Sequence, residues 1–331
     1  MKPGAKASCV RKKKSRSTEV TRARLLWLGG ILGFLAAGAL LFWVARPLGM
    51  SSFDGERAFG HLKAQWSFGP RVPGTQGHMR CLDYITRELQ AYLPQVHHHR
   101  FKYKSALLGV VQGTNVWAIS YPAHQNHTER VLLCAHWDTR PVAERDPDPS
   151  RRSLPVPGAN DGASGVAVLL EVARILGQNP PPVHVDILLF DMEDMGGLPI
   201  SGPEQDPFCV GSSRFVEEHP EFKADYGILL DMVGKKNLRI PKEAISLERA
   251  PQVVNRVWAV ARRLGVKAFS ENKGPAVFDD HVPFLERGIP VINLIDMDYP
   301  PWHTSGDNPE HCSPQSLKQV GEVILGVLYG K

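Results

Sequence analysis

Residues 185–194, VDILLFDMED, constrain the fold more than any other stretch of the chain. Val185, Ile187, Leu188, Leu189 and Phe190 make an apolar run that is too short for a comfortable helix and rich in strand-forming side chains, so it predicts a buried strand. Glu193 and Asp194 then stand at the strand's carboxyl end. In open α/β sheets the ligand crevice lies at that end, which makes both carboxylates site candidates. Paired acids at a strand exit are also ordinary loop chemistry, so the question is whether other strands end the same way.

Several do. A strand over residues 131–135 ends in His136-Trp137-Asp138, and one over 226–230 ends in Asp231. A third, over 289–295, leads into a loop with Trp302-His303-Thr304. Asp161 sits in a glycine-flanked turn that opens an apolar helix within residues 158–176. Further helices are expected over 55–65, 79–93, 251–264, 280–287 and 316–328, and further strands over 96–104 and 115–121. This alternation predicts an α/β three-layer sandwich around a mixed, mostly parallel sheet. His97, His98 and His99 resemble a metal tract, but alternate strand residues point to opposite faces, so the three cannot meet one ion.

The 331 residues carry a formal net charge of +5, which invites a nucleic-acid reading until the charge is located. Residues 1–24 hold nine Lys and Arg against Glu19 alone, so the remainder has 30 basic and 33 acidic residues and nets −3. With no basic stripe in the body, a nucleic-acid partner is excluded. Residues 25–45 are uncharged and long enough to span a bilayer as a helix. The basic head predicts a single-pass signal anchor, with everything after Arg46 delivered to the non-cytoplasmic side; the competing reading is a cleaved signal peptide, disfavoured because the apolar run is long and no small-residue cleavage site stands out. The expected layout is a basic cytoplasmic tail over 1–24, a transmembrane anchor over 25–45, a stem over 46–67 and a catalytic domain over 68–331. Cys9, Cys81, Cys134, Cys209 and Cys312 have no zinc-finger spacing. The last four would be free to form disulfides in an oxidising compartment. Asn126-His127-Thr128 is a glycosylation acceptor only in a eukaryotic secretory pathway.

Together the strand ends and adjoining turns present His136, Asp161, Glu193, Asp194, Asp231 and His303. Each has a plain explanation alone: a core histidine, a helix cap, a turn former, a surface residue. As a set, imidazoles and carboxylates without thiolate suit zinc. The stretches PRVPGTQGH, AHWDT, ANDGASG, FDMED, LLDMVG, FDDHVPFLERGIPV and WHTSGDN resemble the zinc-dependent exopeptidase superfamily, and within it the glutaminyl-peptide cyclotransferases, especially their bacterial branch. The resemblance runs from about Phe68 to the C-terminus. In the two-zinc aminopeptidases the positions matching His136 and Asp231 hold one metal, those matching Asp194 and His303 the other, and Asp161 bridges. The cyclases usually employ one zinc, on the positions matching Asp161, Asp194 and His303. Asp279-Asp280-His281 matches the cyclase pattern, and Trp302 with Tyr299 resembles the aromatic wall of the cyclase pocket. Departures are Asp194 where animal cyclases have Glu, Asn293 where they have His, and Leu198 near a position that is Trp.

The resemblance implies an enzyme that converts the N-terminal glutamine of peptides to pyroglutamate and releases ammonia. One Zn2+ per chain is expected, with two possible, acting as a Lewis acid. Glu193 would shuttle the proton, and Asp279 and Asp231 would hold the oxyanion side and leaving nitrogen by shared-proton hydrogen bonds. The domain would lie on the periplasmic face of a bacterial inner membrane, or in a secretory lumen. The alternative is a membrane-anchored aminopeptidase in which Glu193 activates a water between two zinc ions. A non-catalytic ectodomain is disfavoured because the base and ligand positions are all filled.

Overall fold

A computed structural model describes residue 1 and residues 52–122, 129–198 and 205–330. The basic head, the expected anchor over 25–45 and the sequon at Asn126 lie outside the described residues. Among the described residues no helix is long and apolar enough to cross a membrane.

Helix α1 (Gly55–Ser67) is capped by Asp54, whose carboxylate accepts from the Glu56 and Arg57 amides, and α2 (Gln76–Gln90) by the Thr75 hydroxyl. Such caps contribute about 1 kcal/mol each. A long hairpin follows, β1 (Gln95–Ser105) and β2 (Gly109–Ser120). The centre of the domain is β3 (Arg130–His136), α3 (Ala163–Gln178), β4 (His184–Phe190), α4 (Val210–Glu218) and β5 (Tyr226–Leu230). Next come β6 (Ile240–Lys242), α5 (Ala244–Arg249), α6 (Pro251–Arg263) and β7 (Phe269–Lys273). The chain closes with α7 (His281–Glu286), β8 (Val291–Leu294) and α8 (Pro314–Leu328).

The main sheet has the order β1-β2-β4-β3-β5-β8. β4, β3, β5 and β8 are parallel, and the β1–β2 hairpin joins them antiparallel at one edge. The sheet is therefore mixed and mostly parallel, as expected. β6 and β7, which no apolar run announces, form a separate parallel pair. Alternate residues of β3 divide the core. Val131, Leu133 and Ala135 join the cluster that includes α3, whereas Leu132 and Cys134 meet Phe215 of α4 and Phe284 of α7. With helices on both faces the inner strands are buried on both sides, which is why they read as continuous apolar runs.

Helix α3 is buried from Ala163 to Leu176. It lies tight on β5, because a Cβ at Gly165 would come within 2.0 Å of the Leu230 carbonyl oxygen. The expected stem is corrected here. Phe53, Ala58 and Leu62 belong to the core, and the Asp54 amide donates to Glu171 of α3 at 3.1 Å, so the folded unit reaches back to Phe53. The apolar face of α1 is what covers α3 and α8 at that end. Cys81, Cys134, Cys209 and Cys312 are all buried and free. The histidines of β1 part company as alternation requires: His98 meets the Thr86 hydroxyl at 2.9 Å, and His99 meets Glu218 at 2.8 Å.

From β3 the chain steps to β4 on one side, and from β5 to β8 on the other, so the winding reverses between β3 and β5. A crevice is expected outside the carboxyl ends of the strands at that reversal.

Candidate metal and active site

The crevice is where the expected residues meet. His136 is the last residue of β3, Asp231 follows β5, Glu193 and Asp194 follow β4, Asp161 precedes α3, and His303 lies on the loop after β8. All six are buried. Two sets of potential metal ligands share Asp161: His136, Asp161 and Asp231 in one, Asp161, Asp194 and His303 in the other, with ligand atoms within 4.8 Å of one another. His136 Nε2 lies 3.1 Å from Asp161 Oδ1 and 3.2 Å from Asp231 Oδ1. His303 Nε2 lies 3.4 Å from Asp194 Oδ1.

The backbone is bent unusually to bring them there. Met192 (φ 59°), just before Glu193, Met232 (φ 47°), just after Asp231, and His303 itself (φ 56°) are all left-handed. Each such residue costs on the order of 1–3 kcal/mol, which the surrounding contacts must offset. Gly162 takes the same hand at φ 83°, and a Cβ there would sit 3.0 Å from the His136 ring.

Polar props hold these loops. The Asp138 carboxylate lies 3.4 Å from His136 Nδ1 and accepts from the amides of Glu193 at 3.1 Å and Asp194 at 3.3 Å. Asp307 accepts from the Asn160 and Asp161 amides at 2.9 and 3.0 Å. Arg71, fully buried, donates to the carbonyls of Trp137, Pro157 and Gly158 at 2.9, 2.9 and 2.6 Å, tying the His136 loop to the Asp161 turn. His78 stacks on Trp137 and pairs with Asp191 at 3.0 Å. The motifs PRVPGTQGH and WHTSGDN contain Arg71, His78 and Asp307, but their roles depend on partners far along the chain and were not legible from spacing.

A cavity of about 490 Å³ opens onto the cluster. Glu193, Asp194, Asp231, Asp279 and His303 form its polar floor, and Phe208, Val277, Phe278, Met297 and Trp302 its apolar sides. Trp302 thus lines the cavity as expected. Tyr299, expected beside it, does not; it is buried against Met232 and Ile295, and its hydroxyl donates to Asp307 at 2.7 Å. Its role here is to brace the support of Asp161, because the loop turns its ring inward. Asp279 Oδ2 accepts from Asn293 Nδ2 at 2.6 Å, so Asn293 holds that carboxylate. Glu193 accepts a weak bond from the Cys209 thiol at 3.4 Å, a contact that no sequence signal announced. Leu198 is buried.

Burial raises most of the carboxylates of the crevice; Asp161 is the exception, because the hydrogen bond and charge of His136 outweigh burial and lower it. Burial, with the neighbouring charge of Asp279, holds Glu193 well above the usual carboxylate range. Burial raises Asp231 to about 7, with Asp279 adding and His136 opposing, and raises Asp194 to about 6 against the pull of His303. Burial likewise raises Asp279. Glu144 behaves oppositely: burial pushes it up, but hydrogen bonds from His303 and Arg140 prevail and hold it at about 2.

The donor set fits a zinc ion. It comprises imidazole and carboxylate groups, with Asp194 Oδ2 buried and lacking a hydrogen-bond partner. A buried carboxylate oxygen is costly without a partner, and a cation is the chemical group that would satisfy it.

The sequence profile of peptidase family M28 matches residues 115–328. A Zn-dependent exopeptidase from Parabacteroides distasonis is 37% identical with a TM-score of 0.81, over 86% of this chain and 100% of that one. The glutaminyl cyclase of Bacteroides thetaiotaomicron is 35% identical with a TM-score of 0.79, over 86% and 100%. The aminopeptidase YwaD of Bacillus subtilis is 30% identical over 65% of this chain, which spans only 44% of that protein's length. The chain belongs to peptidase family M28, alongside glutaminyl-peptide cyclotransferases.

Proposed function

We propose that this protein cyclises the N-terminal glutamine of peptides to pyroglutamate and releases ammonia. The observation that carries the reading is Asp279 facing the same cavity as Glu193, both carboxylates pushed toward their protonated forms by burial. Cyclisation needs a proton taken from one nitrogen and given to another, with no external nucleophile. The α-amine attacks the γ-carbonyl carbon, a C–N bond forms, and Glu193 takes the amine's proton. The bond to the amide nitrogen then breaks as Glu193 returns the proton, and ammonia leaves. Asp279, steadied by Asn293, and Asp231 hold one proton between them, so the protonated carboxyl donates a hydrogen bond to the oxygen while the ionised one accepts from the N–H of the leaving nitrogen. Because both reacting groups belong to one residue, the cavity's contribution is orientation and charge stabilisation. Trp302 and the apolar sides hold the glutamine side chain and exclude water.

We assign one zinc to Asp161, Asp194 and His303; when bound it polarises the carbonyl as a Lewis acid. A second reading is an aminopeptidase with two metals, and the complete His136, Asp161 and Asp231 set favours it. Parallel assays separate them. Ammonia from Gln-peptides without cleavage of aminoacyl arylamides supports the cyclase; arylamide cleavage with no ammonia sinks it. The anchor over residues 25–45 is part of the proposal, and so is a domain beyond the membrane. Removing residues 1–46 should yield a soluble chain with unchanged ammonia release, since every site residue lies later. A folded but inactive product would give the N-terminal segment a further role.

A further inference from the structure

The loop that leaves β3 grips the loop of His303 with three consecutive residues. Glu144 Oε1 pairs with His303 Nδ1 at 2.8 Å. The Arg145 amide donates to the His303 carbonyl at 3.2 Å, and its guanidinium lies 4.2 Å over the Trp302 ring. Asp146 Oδ2 accepts from the Ser305 amide at 2.9 Å. Four residues before Glu144 stands Arg140, 2% exposed. Its Nε donates to Glu144 Oε2 at 2.7 Å, and its Nη1 donates to Asp194 Oδ1 at 2.7 Å.

These bonds run in a line, Asp194 to Arg140 to Glu144 to His303, behind the two ligands that belong to only one of the metal sets, and the 3.4 Å approach of His303 Nε2 to Asp194 Oδ1 completes the ring. Its chemistry sets what each ligand can offer. A carboxylate paired with a guanidinium accepts only, so Glu144 requires the hydrogen on His303 Nδ1 and leaves the Nε2 lone pair facing the cavity. Arg140 occupies Asp194 Oδ1, while Asp194 Oδ2 is buried without a hydrogen-bond partner. His303 is held in a left-handed conformation that an unrestrained histidine rarely adopts.

We propose that Arg140 and Glu144 are positioning residues that present Asp194 as a one-oxygen ligand and His303 as an Nε2 ligand, making this position the first to bind zinc. The inference rests on reading the site as a zinc site and is independent of which reaction follows. A planar, forked guanidinium is required, because one ammonium cannot span two carboxylates in the same geometry.

The test is zinc binding by the full-length, metal-stripped chain, read by competition with a chromophoric chelator, with the cobalt absorption spectrum as a second readout. Glu144→Gln should weaken the first zinc by about tenfold to a hundredfold. Arg140→Lys should also weaken it, by roughly tenfold, although the charge is kept. In both, the cobalt bands at the first equivalent should change while far-UV circular dichroism does not. A merely structural ion pair would instead let Arg140→Lys restore parental affinity and spectrum. Unchanged zinc affinity and cobalt spectrum in Glu144→Gln overturn the proposal by themselves, even if Arg140→Lys fails to fold. A parent chain that binds no zinc overturns it together with the zinc reading; a parent that binds zinc but yields no ammonia leaves the ring to be judged by its variants.

Discussion

The two halves of the ligand cluster share Asp161 and differ in how their polar atoms are satisfied. In the His136 half the imidazole lies between Asp161 and Asp231 and is backed by Asp138, so the group closes on itself. In the His303 half both ligands are held from behind by Glu144 and Arg140, and Asp194 keeps a buried oxygen without a partner. Burial lowers the pKa of His136, yet the hydrogen bonds it donates to Asp138, Asp161 and Asp231 prevail and raise it well above the usual histidine value. The difference teaches that identical ligand types need not mean equal metal positions; what stands behind each ligand decides what it offers in front.

The most damaging test of this contrast is His303→Ala. It removes one of only three ligands of the favoured half, so zinc and ammonia release should both be lost. Elemental analysis finding full metal content would show the halves to be wrongly ranked. Next in size is Glu193→Gln, which touches neither ligand set. Metal content should persist while turnover falls by on the order of a hundredfold or more, because an amide has the shape of the carboxylate but cannot shuttle protons. Retention of most activity would remove Glu193 from its role in either reading.

How much of this was legible in the sequence divides along the same line. His136, Asp161, Glu193, Asp194 and Asp231 stand at or beside the ends of short apolar strands or of the helix α3, where local pattern marks an exit toward the crevice. The parallel inner strands were legible for the same reason, being buried on both faces. Arg140, Glu144 and Arg71 were not, because their meaning lies in bonds to residues 54, 159 and up to 90 positions away. Helix α4 and the β6–β7 pair were missed because they are short and only partly apolar, and tertiary contact decides such segments. α1 is legible as a helix but its place in the core is not, since its burial depends on α3 and α8 rather than on its own weak pattern.

A smaller effect separates protons from metal. Asp194, Asp231 and Asp307 have folded values of about 6, 7 and 6, above the unfolded carboxylate value of about 4. For Asp307 the causes are burial and then the charge of Asp161. The folded chain therefore holds protons more tightly than the unfolded one. The stability this confers is fully present below about pH 4 and is lost as pH rises through 6 to 7. His136 acts in the same direction; His61 and His98, lowered mainly by burial, oppose it below about pH 6.5 but are outnumbered by the raised carboxylates, and Glu144 and Glu243, held at about 2, act oppositely only below about pH 4.5. The metal-stripped chain should thus melt at a higher temperature at pH 5 than at pH 8. Bound zinc should weaken or reverse that slope, because binding expels the protons. A metal-stripped chain that gains stability from pH 5 to pH 8 would contradict the assigned shifts.

The smallest expected effect discriminates most sharply between the halves. If His136 is chiefly a hydrogen-bonded support, His136→Ala should leave about one zinc per chain and appreciable ammonia release, with a modest loss because Asp161 and Asp231 lose their shared partner. Asp279→Ala should instead cripple cyclisation with zinc retained, since Asp279 faces the cavity floor and Asn293 already spends its amide holding that carboxylate. The two-metal aminopeptidase reverses this order. There His136 would be a direct ligand, so its loss should empty one of two metal positions, while Asp279, which belongs to neither ligand set, should matter less. Zinc content and ammonia release measured on both variants place them in one order or the other. His136→Ala that forfeits a zinc and all activity, beside a nearly intact Asp279→Ala, would overturn the ranking of the halves.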